Sequence, residues 1–472
     1  MRSPGSIALQ SNVVSEPQNA PSVFDPVLLY GVFGLLLFGP LAFGAVEPWS
    51  IFVMEAGSAA LFIIWSIRQI ESGELRVLGN PLFLPMSVFA LLVGIQLTTG
   101  RTSYRHQTIS SLMLYVAYAL LCFLVVQCLR KTSQIRILAQ VFCAYGYAMA
   151  TFAMFEGLAP NGKLYWLRTA RHGGWIYGPY VNHNHYAGLM EMLTPIPLVV
   201  ALSEVVKGPR KILAAVTAAI MASTIFLSGS RGGMLAFVVQ IAILSAILIR
   251  RRGSRKLAFT LGAFFVLTGG LLAWLGGGQL VARMESIHQE ARTEVSGQTR
   301  MDINRDGLAM AKLRPLLGWG LGVFPTVYPQ YRTFYTNLFV NEAHDDYVQL
   351  LVEMGALGFA VMLWFLVVSY YHASKKLKYW AKDPNGAVAL AAILGVTGIV
   401  VHSFVDFNLQ IPANAALFYV LCVVAAMEPR FSSFGRVASA APDGTRFKPR
   451  ARGSEPAYNA SGFRTQKGNS RS

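Results

Sequence analysis

Four basic side chains, two at the edges of apolar runs and two on an amphipathic stretch between runs, have a chemistry suited to a membrane surface. His344 lies in Asn341-Glu-Ala-His-Asp-Asp-Tyr347, directly before a long apolar run that carries Glu353 and then Gly355-Ala-Leu-Gly358. An imidazole near its ordinary pKa of about 6.5 suits a general base. The helix N-terminus expected here opposes a charge on His344, whereas Asp345 and Asp346 favour one. Arg231, in Ser228-Gly-Ser-Arg-Gly-Gly233, separates two apolar runs. Its planar fork can meet a phosphate or carboxylate there, and the glycines allow close backbone approach. Arg300 and Arg305 share a stretch in which Met301, Leu308 and Leu313 give a modest amphipathic helix ended by Pro315. Such a helix can lie along the interface with one of the two arginines aimed inward.

Further polar residues gather at similar boundaries. Asn182-His-Asn-His185 opens one apolar run, and His402, Asp406, Asn408, Gln410 and Asn414 cluster between the last two. Each set either lines a cavity or satisfies backbone groups. Glu191 and Glu353 fall inside apolar runs and so should face the bundle interior, with Glu353 a partner for a buried cation. Aromatic residues, Tyr331 among them, crowd the polar stretches and fit either an interfacial belt or a stacking surface for sugar rings. Cys122, Cys128, Cys143 and Cys422 all lie in apolar runs and read as small core residues. There is no GxxxxGK phosphate loop, no HExxH and no Cys/His signature, so neither metal nor cofactor is expected.

The elements that must position these groups follow from composition. Of 472 residues 54% are hydrophobic and only 13% charged, against roughly 25% charged in soluble domains. The apolar residues fall in runs near 27–46, 50–68, 81–98, 109–129, 135–157, 186–206, 211–229, 232–250, 257–277, 346–373, 387–408 and 412–428. Each is near the ~20 residues that cross a hydrocarbon core as a helix. The expected fold is therefore all-α and polytopic, with about twelve transmembrane helices.

The formal charge of +17 does not point to nucleic acid, because the basic residues sit in short connections and in the C-terminal tail. Every even-numbered run exits into Lys or Arg: Arg68 and Arg76, Arg130 and Lys131, Lys207 and Arg210, Arg250 to Lys256, Lys375 and Lys376, and then the tail. The positive-inside rule puts both termini in the cytoplasm. The opposite ends then share one outer face with nearly all of the unusual polar chemistry. Three parts are expected: a polar cytoplasmic tail over 1–25, a transmembrane domain over 26–428 with a large outer loop over 278–345 containing short helices, and a basic, disordered tail over 429–472. The first apolar run begins only near Val27, so no cleavable leader is expected.

These residues resemble the O-antigen ligase and polymerase superfamily of bacterial envelope glycosyltransferases. The resemblance is carried by Ser228-Gly-Ser-Arg-Gly232, by Arg300 followed by Pro315-Leu-Leu-Gly-Trp-Gly-Leu-Gly-Val-Phe324, and by His344-Asp345 followed by Gly355-Ala-Leu-Gly358. Phe43-Gly-Ala-Val-Glu-Pro-Trp49 and His402-Ser-Phe-Val-Asp-Phe-Asn-Leu-Gln410 also look like family stretches. Asp345 departs from the ligase pattern, which usually has Asn, Ser or Gln there.

The resemblance implies a metal-independent, inverting transfer on the periplasmic face of the inner membrane. The donor is a glycan on undecaprenyl pyrophosphate, and the acceptor is a hydroxyl of lipid A–core or of another glycan. Arg231 and Arg300 would bind the pyrophosphate and His344 would accept the hydroxyl proton. Arg305, Asp345, Asn182, His185 and Tyr331 are the further candidates for substrate contact. The alternatives are a polymerase that extends the lipid-linked glycan, a protein-glycosylating ligase, and a transporter with a midplane polar site.

Overall fold

A computed structural model describes residues 24–73, 75–169, 175–250, 261–274, 297–336 and 339–427. The expectations for the tails over 1–23 and 428–472, for the basic residues 251–256 and for the outer-loop residues 278–296 lie outside them.

The described chain is helical almost throughout. In order come α1 (Phe24–Leu41), α2 (Pro48–Ser72), α3 (Phe83–Thr98), α4 (Arg105–Cys128), α5 (Thr132–Leu158), α6 (His183–Leu193), α7 (Pro195–Leu202), α8 (Pro209–Leu227) and α9 (Arg231–Arg250). They are followed by α10 (Leu261–Trp274), α11 (Gly297–Leu313), α12 (Asp346–Lys376), α13 (Pro384–His402) and α14 (Pro412–Ala426). Among the described residues, nine helical segments are long and apolar enough to cross a membrane, with α6 and α7 counted as one around Pro195. The shorter apolar helices α3, α10 and α14 fall on the remaining apolar runs.

Burial divides these helices into two kinds. The α6–α7 segment has 94% of its apolar window buried and α13 has 78%, whereas the other long segments have 28–44%. The first kind forms the centre and the second presents one stripe outward, as helices in contact with lipid do. Small residues let the central helices approach closely. A Cβ at Gly395 of α13 would lie 2.7 Å from the Met192 carbonyl oxygen of α6, and one at Gly232 of α9 would lie 2.5 Å from Cδ2 of His402. Gln240 then ties three helices together, its Nε2 donating to the carbonyls of Glu191 and Leu394, each at 2.9 Å.

The stretch before α12 has its own small core. Ile303 and Met310 of α11, with Trp319, Phe324 and Tyr328, pack against Val348 and Val352 at the start of α12. Below this core α12 is broken. Gly355 has φ 63° and ψ −168°, a conformation essentially restricted to glycine. The break frees backbone groups, and the Pro315–Phe324 loop takes them up. Trp319 N–H donates to Val352 O (2.9 Å) and Gly320 N–H to Glu353 O (3.0 Å), while Ala356 N–H donates to Pro315 O (2.8 Å) and Leu357 N–H to Leu316 O (3.2 Å). The amide of Gln96 on α3 donates to the carbonyls of Leu317 and Glu353.

The Glu353 side chain completes this clasp. It accepts from the N–H groups of Gly322 (2.8 Å) and Phe324 (3.3 Å), so it anchors a loop and is not the partner of a buried cation that its position suggested. The physical reason is that a loop inserted into an apolar bundle carries N–H donors that must find an acceptor.

Candidate active site

Two sequence motifs are assembled by capping. In Ser228–Gly233, Ser230 Oγ accepts the N–H of Gly233 (3.1 Å) and starts α9. This leaves Arg231 exposed as the first helical residue, while Gly232 and Gly233 lie against His402 and Glu191. At the head of α12, Asp345 Oδ1 accepts the N–H groups of Tyr347 (2.9 Å) and Val348 (3.0 Å).

His344, just before that cap, has φ 59°, a left-handed conformation that costs of order 1–3 kcal/mol for a non-glycine residue. Neighbouring hydrogen bonds hold it. Ala343 N–H donates to Gln349 Oε1 (3.0 Å), and Asp346 N–H donates to the Ser403 carbonyl (3.0 Å). The Asp346 carboxylate in turn accepts from Ser403 Oγ, Leu409 N–H and Gln410 Nε2, locking the head of α12 onto the turn after α13.

That turn carries Asp406, and three imidazoles surround it. His185 Nε2 of α6 and His344 Nδ1 each lie 4.0 Å from Asp406 Oδ1, and His402 Nε2 lies 4.0 Å from Oδ2. These separations are beyond hydrogen-bond reach but within a small adjustment of it. The rings of His185 and His344 both meet Phe407 at 4.8 Å, nearly edge-on, so Phe407 is wedged between them. The far nitrogen of His402, Nδ1, is 2.9 Å from Glu191 Oε1. His185 Nε2, His344 Nδ1, His402 Nε2 and Asp406 Oδ2 are buried without a hydrogen-bond partner among the described residues. Native structures leave few such atoms, so three of them converging on a carboxylate whose own Oδ2 is a fourth mark a place built for something other than stability.

Arg300 approaches the same turn from α11, its Nη1 donating to the Val405 carbonyl at 2.9 Å. It shapes the titration of the cluster. Burial, with Arg300 next in effect, pushes the His344 imidazole down to about 4 despite the opposing pull of Asp406. Burial alone would raise the Asp406 carboxyl, but His185, His402, Arg300 and His344 together hold it below the usual range. At neutral pH the arrangement is thus a neutral His344 beside an ionised Asp406, with cationic arginines near.

The candidate residues therefore separate. Arg231, Arg300, His344 and His185 gather around the turn His402–Phe407. Asn182 caps α6, accepting from Asn184 N–H at 2.8 Å, and Asp345 caps α12. Tyr331 meets Trp319 at a tilt in the small core, ring centroids 5.2 Å apart, and Arg305 is exposed on α11. Asp406, His402 and Glu191 form the middle of the cluster, although the sequence assigned none of them a chemical role. Their only signal was membership of polar sets inside apolar surroundings. Among the described residues, no group of three or more His, Cys, Asp or Glu side chains is placed to hold a metal ion.

Residues 216–363 match the family model described as O-antigen ligase. No curated protein matches the chain. The matched stretch holds Arg231, Arg300, His344 and both halves of the clasp, while His185 and Asp406 are supplied from outside it. Over residues 216–363 the chain is therefore similar to the O-antigen ligase family.

Proposed function

We propose that this protein transfers a glycan from a polyprenyl pyrophosphate to an acceptor hydroxyl at the outer surface of a bacterial inner membrane, by an inverting, metal-independent route. The observation that carries the proposal is the convergence of a neutral His344, the Arg300 guanidinium and the Arg231 helix start on one turn around Asp406. The donor already has a good leaving group, so positioning, charge stabilisation and proton removal are what the protein must supply.

In this reading the acceptor oxygen attacks the anomeric carbon from the face opposite the pyrophosphate. The new carbon–oxygen bond forms as the bond to the pyrophosphate oxygen breaks, and the electron pair leaves with the pyrophosphate. The acceptor proton goes to His344. With Nδ1 turned toward Asp406, Nε2 is the nitrogen left to take it, and Asp406 stabilises the imidazolium that forms. Arg300 and Arg231 take the charge growing on the pyrophosphate. His185 faces the same Asp406 carboxylate, while Asn182 and Asp345 act through the helix starts they cap. A transporter is less well supported, because the ionisable groups collect at one end of the bundle and not at its middle.

Two acceptors fit this chemistry, lipid A–core or the lipid-linked glycan itself. The test is protein in nanodiscs with an undecaprenyl-pyrophosphate oligosaccharide and lipid A–core, read by mass spectrometry. Sugar on lipid A–core establishes a ligase. Longer glycan on the carrier with lipid A–core untouched establishes a polymerase. Neither product, with donor intact and the protein folded, contradicts the proposal.

A further inference from the structure

The bundle has a cavity at the end opposite the Asp406 cluster. It lies between α5, the α7–α8 connection, α8 and the first turn of α13, and its volume is about 600 Å³. The chain direction fixes its place. The cavity is lined by Arg136 and Arg210, near the starts of α5 and α8, and by Val388 near the start of α13. The Asp406 cluster takes its residues from the other ends of the same bundle, the start of α6, the start of α9 and the end of α13.

The cavity has a polar mouth and an apolar body. Arg136 and Arg210 stand at the mouth, both exposed, and neither forms an ion pair among the described residues. Lys207 is exposed beside them, and Lys211 donates to the Ser203 carbonyl at 3.1 Å, with Glu204 the acidic side chain on the same connection. The wall beyond is formed by groups such as Val200, Leu213, Ala144 and Val388. Tyr147, also in the lining, is eleven residues past Arg136 on α5, about 16 Å along the axis. That depth is close to half of a ~30 Å hydrocarbon core, so the cavity reaches about one leaflet deep.

We propose that this cavity binds an anionic glycerophospholipid of the inner leaflet, its phosphate held by Arg136 and Arg210 and an acyl chain lying along α5 as far as Tyr147. Paired cations at headgroup level above an apolar slot one leaflet deep match both halves of such a molecule. A zwitterionic lipid offers the same chains but returns the phosphate charge with an ammonium, and a free phosphate leaves the slot unused. The site is independent of the glycan reading, because it shares no residue with the Asp406 cluster.

Native mass spectrometry of the full-length protein in detergent, offered dioleoyl phosphatidylglycerol, dioleoyl phosphatidylcholine or glycerol 3-phosphate, tests this. Phosphatidylglycerol is expected to bind about tenfold more tightly than phosphatidylcholine. The double variant Arg136→Ala/Arg210→Ala should lose that preference. Ala144→Trp, which fills the slot and leaves both arginines, should weaken both lipids, with unfolding midpoints in lipid-free detergent reporting on the fold. Equal binding of the two lipids, an unchanged preference in the double variant, or indifference to Ala144→Trp overturns the proposal. Glycerol 3-phosphate binding as tightly as the lipid also overturns it. Should the double variant fail to fold, Ala144→Trp and the lipid comparison decide alone.

Discussion

The clasp at Gly355 and the cluster at Asp406 are both built from polar groups pressed into an apolar bundle, and they treat those groups in opposite ways. In the clasp the carbonyls and N–H groups freed by the helix break find partners at 2.8–3.2 Å, and Glu353 takes two more N–H groups. In the cluster, three imidazole nitrogens stop 4.0 Å from the Asp406 carboxylate, and they and its Oδ2 have no hydrogen-bond partner among the described residues. Both regions include residues by which the chain resembles the O-antigen ligase family. Satisfaction of the polar atoms is what separates scaffold from chemistry: the first set has reached its lowest-energy arrangement, the second is held short of it.

The sharpest way to probe the cluster side is Arg300→Lys. The substitution keeps a charge but loses the planar fork that reaches the Val405 carbonyl. Transfer should fall by about 10²- to 10³-fold with the unfolding midpoint unchanged. On the clasp side, Gly355→Leu should do the reverse. A Cβ at Gly355 would stand 2.4 Å from the Leu316 carbonyl oxygen, at a φ that side chains rarely adopt. The cost should be about 3 kcal/mol or more in stability, read as a lower unfolding midpoint, with the surviving folded fraction still active. A Gly355→Leu protein of wild-type stability would mean that the clasp is not scaffold.

A smaller effect is carried by pH. Since His344 is depressed to about 4 by burial and by Arg300, it is neutral at pH 7 and loses its role as base only as pH falls through that value. The rate kcat/KM should therefore stay level from pH 8 to about 5 and fall about tenfold per unit below the pKa. In Arg300→Gln the midpoint should move upward, because a positive neighbour that disfavours the imidazolium is removed. An unmoved midpoint would detach the titration from His344. The smallest effect is expected at Asp345, whose carboxylate caps α12. Asp345→Asn, which keeps a capping oxygen, should be nearly silent, and Asp345→Ala should cost about 1 kcal/mol in stability with transfer changed by a few-fold at most.

How much of this was legible in sequence depends on range. The long helices were legible because each is one uninterrupted apolar run, and even the short break at Ser228–Gly233 falls where α8 ends at Leu227 and α9 begins at Arg231. The chemical residues His344 and Arg231 stood out because charge at the edge of an apolar run is costly, and Arg300 because it opens an amphipathic stretch in the polar loop. Their common partner did not. Asp406 meets His185 across more than two hundred positions of chain, and no local periodicity encodes such a meeting. Glu353 shows the same limit: its position inside an apolar run suggested a cation, because the loop that supplies its N–H donors, Gly322 and Phe324, lies some thirty residues earlier. Asp345 and Asn182 were legible as polar residues at helix starts, and the structure gives both the local role that such positions favour.

The central claim is that His344 takes the acceptor proton, and single-turnover transfer by His344→Ala in nanodiscs tests it most directly. Loaded with a fluorescent polyprenyl-pyrophosphate oligosaccharide, the variant should bind donor within a few-fold of the unaltered protein and transfer it at least about 10²-fold more slowly. Transfer at the unaltered rate with normal donor binding would contradict the account, leaving His344 a structural residue and the Asp406 cluster without its base.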